Sequence, residues 1–175
     1  MSAFGVPAAN VVLSSAMKMR YCLWLVPCLL ILLLSLIPSV EAQQKCADNL
    51  LITINRSACH GDCAVYSARI YADGTVVYVG IGNVKEVGER RHKISQGAVQ
   101  ALIKEFQRLD YWSLKDSYEV DERGMASTGQ QITTTSICLD GKTKQVVNIY
   151  GPKRLDELEE RIESLAGLYS LLGPL

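Results

Sequence analysis

The chain has 175 residues and a formal net charge of zero, with 49% of its residues hydrophobic. Neutrality excludes nucleic-acid binders, which need a cationic excess to displace counterions from phosphate. The length suits one domain beyond any targeting segment.

Residues 22–37 form an apolar run broken at Pro27. Lys18 and Arg20 precede it, and Val40 and Ala42 follow at the two small-residue positions that a signal peptidase reads. The run is shorter than the ~20 apolar residues that span a bilayer. The pattern therefore predicts a signal peptide over residues 1–42, cleaved after Ala42, and a single domain over 43–175 in the periplasm or outside the cell. Met17 and Met19 are alternative starts, and an uncleaved leader would be the only route to a membrane. Neither Cys28 nor Cys46 follows the small-residue run of a lipidated cysteine. Without residues 1–42 the balance is 16 Lys plus Arg against 17 Asp plus Glu. In an oxidising compartment the four remaining cysteines, Cys46, Cys59, Cys63 and Cys138, read as disulfide partners.

Residues 49–57 and 64–71 partly alternate apolar with polar side chains and read as strands. Asp73-Gly74 then separates the second run from 75–81, and this dipeptide supplies the positive φ angles of a tight hairpin. Residues 86–94 suit a fourth strand at a sheet edge, where Arg90, Arg91 and Lys93 deter edge-to-edge pairing. Ser95 offers an N-cap to a helix bearing Val99, Leu102, Ile103, Phe106 and Leu109 on one stripe. Residues 116–131 show no periodicity and read as a long loop. Two further runs, 132–139 and 142–150, flank Asp140-Gly141 as a second hairpin, and Gly151-Pro152 starts a helix carrying Leu155, Leu158, Ile162 and Leu165. The order, hairpin then helix twice, predicts an α+β two-layer sandwich: an antiparallel sheet with two helices packed on one face.

Certain spacings go further: Arg56-x-x-Cys59-x-Gly61-x-Cys63-x-x-Tyr66 and Tyr71-x-Asp73-Gly74-x-Val76-x-Tyr78-x-Gly80. Phe106, Tyr111-Trp112-x-Leu114, Gly141-x-x-Lys144 and Tyr150-Gly-Pro152 leading into Leu155 and Leu158 follow. Over about residues 50–166 this resembles the bacterial domain-of-unknown-function family 6438. Ala64 departs from the pattern, where the family would carry proline. The resemblance implies a secreted or envelope-associated bacterial protein and carries over no catalytic residue.

Two thiols, an imidazole and a carboxylate stand together in Cys59-His60-Gly61-Asp62-Cys63. That set resembles half of a zinc site, but His92 is the only other histidine. A Cys59–Cys63 disulfide pinning the connection between the first two strands is the simpler reading, so no metal ligand is assigned. Four cysteines allow three pairings. The preferred one adds Cys46–Cys138, which would tie the start of the mature chain to a late strand. The Cys-x-x-x-Cys spacing lacks the helix start that makes redox-active thiols.

Arg90, Arg91, His92 and Lys93 read as a solvated edge, with contact to an anionic glycan or headgroup as the alternative. Asp116, Glu119, Asp121 and Glu122 lack the spacing of a helix-loop-helix calcium site. No serine elbow, His-Glu-x-x-His or phosphate-cradling glycine loop occurs, and no cofactor is expected. The resulting expectation is a disulfide-stabilised, non-catalytic binding module with an envelope or extracellular ligand. Its working surface would be the Cys59–Cys63 loop, with His60, Gly61 and Asp62, together with the 116–131 loop. The alternatives are a hydrolase of an envelope polymer, with His60 and Asp62 as its acid-base pair, and a metal-binding module.

Overall fold

Alternation of buried and exposed side chains sets the strand boundaries in the computed structural model, which describes residues 46, 49–126 and 128–173. The expected leader and its cleavage point lie outside the described residues. Those that are described fall in one compact unit.

The strands are β1 (Leu50–Arg56), β2 (Val65–Tyr71), β3 (Thr75–Gly82), β4 (Gly88–Lys93), β5 (Ser117–Tyr118), β6 (Thr133–Leu139) and β7 (Lys142–Asn148). They form one sheet in the order β4-β3-β2-β1-β6-β7-β5. Helix α1 spans Gln96–Leu109, α2 spans Lys153–Leu165 and a short α3 spans Tyr169–Leu172. The fold is thus α+β, as expected, but the sheet is mixed: β5 runs parallel to β7, while the other pairs are antiparallel. A two-residue strand is too short to show a period, so it was hidden in the expected 116–131 loop. The rest of that loop holds one bridge, Val120 to Ala126.

The two Asp-Gly turns differ: at the second both residues have the expected positive φ, whereas at the first only Gly74 does, because the tight turn there is centred on Ala72-Asp73, with the Gly74 N–H bonded to the Tyr71 carbonyl at 2.9 Å. Gly74 has φ +81° and sits so close to the Ile94 carbonyl that a Cβ would collide with it; at the second turn Asp140 and Gly141 have φ +52° and +74°. Ser95 caps α1 by accepting the Ala98 N–H at 3.1 Å, and Asp110 ends it in the left-handed conformation. Pro152 precedes the first turn of α2, where its missing N–H costs nothing.

One apolar cluster joins alternate strand residues, among them Ile52, Ile54, Tyr66, Ala68, Ile70, Val76, Tyr78, Ile137 and Val146, to Val99, Leu102 and Phe106 of α1 and Leu155, Leu158 and Ile162 of α2. Aromatic packing reinforces it through Phe106 edge-on to Tyr111, with ring centroids 4.8 Å apart. The Tyr111 hydroxyl donates to the Thr135 carbonyl at 2.8 Å and meets Thr135 Oγ1 at 2.7 Å, so its burial leaves no unmet polar group.

Candidate functional site

Strand register gathers one end of the sheet into a site. Asn148 pairs with Thr133, Thr133 with Arg56, Arg56 with Tyr66, Tyr66 with Gly80 and Gly80 with Gly88, so one cross-strand row runs from β7 to β4. The connections 57–64, 83–87 and 119–132 all leave the sheet at this end. Cys46 and the Gly74 turn lie at the other.

The two loops singled out by sequence do meet. The His60 N–H donates to the Gly129 carbonyl at 2.8 Å, and the Ser57 N–H to the Ile132 carbonyl at 2.9 Å. Gln131 Nε2 donates to the carbonyls of Ser57 (2.9 Å) and Ala64 (2.7 Å), the residues that bracket the disulfide loop. Cys59 is joined to Cys63, with Cα atoms 5.8 Å apart, and Cys46 to Cys138, with Cα atoms 5.6 Å apart. Asn83 Nδ2 reaches the Cys63 carbonyl at 3.2 Å and attaches the 83–87 connection to the same loop.

His60, Gly61 and Asp62 stand exposed at this end, and no hydrogen bond joins the His60 and Asp62 side chains among the described residues. The Cys59 and Cys63 sulfurs are consumed by their bond, and no group of three metal-ligating side chains occurs among the described residues. The acidic loop residues do not converge: Asp116 pairs with Lys144 at 2.6 Å, Glu119 accepts from Ser117, and Asp121 caps the N–H groups of Arg123 and Met125. On β4, Arg90 pairs with Glu86, Arg91 with Glu89 and Lys93 with Asp73. Hydrogen bonds from Thr75 and then Lys93 hold Asp73 down at about 2. His92 turns inward and donates to the Ala166 carbonyl at 2.8 Å.

Beneath the loops lies a buried polar cluster that sequence reasoning missed. Glu159 and Glu163, one turn apart on α2, are 3% and 5% exposed, placing both carboxyl groups inside the protein. Arg56 Nε donates to Glu163 Oε1 at 2.7 Å, and its Nη2 lies 3.9 Å from Glu159 Oε2. The Tyr66 hydroxyl donates to the same Glu163 oxygen at 2.5 Å. Asn148 Nδ2 donates to Glu159 at 2.8 Å and to Asp156 at 3.0 Å, while its oxygen accepts the Gly151 N–H at 2.8 Å. Arg56 Nη1 also reaches Thr133 Oγ1 at 3.2 Å and, at a longer 3.4 Å, Gln131 Oε1. Gln131 therefore links the cluster below to the disulfide loop above.

Two carboxyl groups share one guanidinium, and burial decides the result. Desolvation pushes Glu159 up to about 7, against the opposing pull of Asn148 and Arg56. Burial and then Glu163 push the Tyr66 phenol up. Burial lowers the Arg56 value, but Glu163, Tyr66 and Glu159 more than compensate and hold it above its ordinary range. The sequence signal was available: Glu159 and Glu163 follow Leu155 at four-residue steps and so fall beside the apolar stripe.

Exposed apolar side chains mark the same end. Ile81 (63% exposed), near the end of β3, and Val87 (60%), just before β4, lie toward one side of the sheet at this end, and Val120 (52%) and Met125 (62%), on the connection after β5, toward the other, with the disulfide loop between β1 and β2 in the middle of the strand order. No curated protein matches the sequence. Residues 50–166, two thirds of the chain and nearly all the described elements, match the family described as "Domain of unknown function (DUF6438)", and the chain belongs to that family.

Proposed function

We propose that this is an exported, disulfide-stabilised binding module of a bacterial envelope or exterior, which takes its ligand at the loop end of the sheet. The carrying observation is that Ile81, Val87, Val120 and Met125 stand exposed at the same end of the sheet as a loop fixed by the Cys59–Cys63 bond and by the Gln131 amide. Exposed aliphatic side chains on a rigid frame suit a protein or peptide partner. Two disulfides fit an oxidising compartment. The two longer helices cover one sheet face as a two-layer sandwich, supported by the single apolar cluster that they share with alternate strand residues. The hydrolase and metal readings have less support, since His60 and Asp62 share no hydrogen bond and the Cys59 and Cys63 sulfurs bond each other.

Photo-crosslinking in living cells tests the surface. A crosslinker at Val87 or Val120 is expected to give a discrete adduct that Ile81→Asp with Met125→Asp abolishes. An equal adduct from Lys104, exposed on α1, would sink the assignment. Intact mass tests the compartment: the exported chain should begin at Gln43, four hydrogens below its reduced mass, and a retained leader or alkylatable thiols would overturn it.

A further inference from the structure

We infer that Glu159, held between Asn148 of β7 and Arg56 of β1, is a proton-operated clasp that sets how firmly the loop end of the sheet is fixed. The inference rests on reading that end as the binding surface, and supplies its regulation.

Polar and charged groups face Glu159 from every element around it. Asn148 comes from β7, Thr133 from β6 and Arg56 from β1; Tyr66 of β2 acts through Glu163; Tyr111 lies across from it in the turn after α1; Asp156 shares its helix. Arg56 is the only cation among them. With Glu159 neutral, Asn148 still donates to it and Arg56 serves Glu163 alone at 2.7 Å. Loss of the proton to solvent leaves two buried negative charges to one guanidinium, whose nearer nitrogen is 3.9 Å from Glu159. Arg56 is then drawn between two carboxylates while it also holds Thr133 and Gln131, and Gln131 holds the carbonyls of Ser57 and Ala64. Relief comes from lifting this part of α2 off the polar row and letting water reach Glu159, which loosens the loops above. The value near 7 puts the transition where small changes in acidity change its occupancy.

Amide hydrogen exchange of the whole protein, corrected for intrinsic rate, tests this between pH 6 and 8 without any partner. Reporter amides are His60 and Ser57 at the loop end; Ile94, bonded to Gly74 at the far end, is the control. Opening at His60 and Ser57 is expected to rise about tenfold over this range, as linkage to one proton predicts, with Ile94 unchanged and the Glu159→Gln variant flat. A flat wild type, the same slope in Glu159→Gln, or an equal change at Ile94 would overturn the clasp. Should the variant fail to fold, carbon-13 titration of the wild-type Glu159 carboxyl decides: a midpoint near 7 supports it and one below 5 removes it. Because exchange is read with no ligand, failure here leaves the crosslinking result standing, and failure of crosslinking leaves the exchange result standing.

Discussion

The His60 imidazole lies over Gly129, where a Cβ on Gly129 would overlap the ring. Gly129 also has φ +95°, a conformation that side chains resist. Gly129→Ala is therefore expected to cost about 1 to 2 kcal/mol of stability through backbone strain, and to displace the His60 ring. Urea midpoints together with the His60 imidazole chemical shift check it. The backbone cost should persist in a His60→Ala background, because removing the ring does not relieve the φ angle.

The two disulfides should contribute unequally. Cys46–Cys138 closes a separation of 92 residues and Cys59–Cys63 one of only 4. Loop-closure entropy assigns about 4 to 5 kcal/mol to the long bridge and about 2 to the short one. Denaturation of the paired alanine variants, Cys46→Ala with Cys138→Ala against Cys59→Ala with Cys63→Ala, reads the difference. An equal loss would show that loop entropy does not govern their contributions.

Global stability should fall as the medium becomes alkaline. Glu159 has a folded value near 7, above its ordinary 4.5, so the folded state binds more protons between these limits. Its stabilisation is complete below about 4.5 and is lost as pH rises through 7, by roughly 3 kcal/mol in all. Glu159→Gln should remove this slope, leaving the variant more stable than wild type at pH 8 and little different at pH 4.5.

Removing Arg56 should be worse than removing its tyrosine neighbour. Arg56→Met leaves Glu163 and Glu159 without their cation, at a cost of about 3 to 5 kcal/mol. Tyr66→Phe removes one hydrogen bond to Glu163, worth about 1.5 to 3 kcal/mol. A double-mutant cycle should show non-additivity, because both donate to the same Glu163 oxygen.

What was legible in the sequence is what is local. Asp73-Gly74 and Asp140-Gly141 announced their hairpins because positive φ is a property of one or two residues. Ser95 announced α1 for a similar reason. The edge position of β4 followed from its Arg and Lys content. By contrast, Asn148, Arg56 and Tyr66 belong to three strands, and only register sets them in one row. Glu159 and Glu163 were passed over because charged residues on a helix normally face water, although their four-residue spacing from Leu155 placed them near the buried stripe. The proximity of the 57–64 and 119–132 connections followed from both leaving the same end of the sheet, but the Gln131 amide that binds them could not be foreseen. Short α3 and β5 carried too few residues to display a period.

The Cys46–Cys138 bridge also governs how the domain bears mechanical load. Tension applied upstream of Cys46 would otherwise fall first on the start of β1 and peel it from β2 and β6. The bridge delivers part of that force directly to β6, so the two central strands carry it together and their shared ladder is not opened from one end. The loop end lies a full strand length away, so a tether upstream of Cys46 would pull on the sheet without pulling on the surface proposed for ligand binding. Reduction of this one bond would turn a firm handle into an unzipping point.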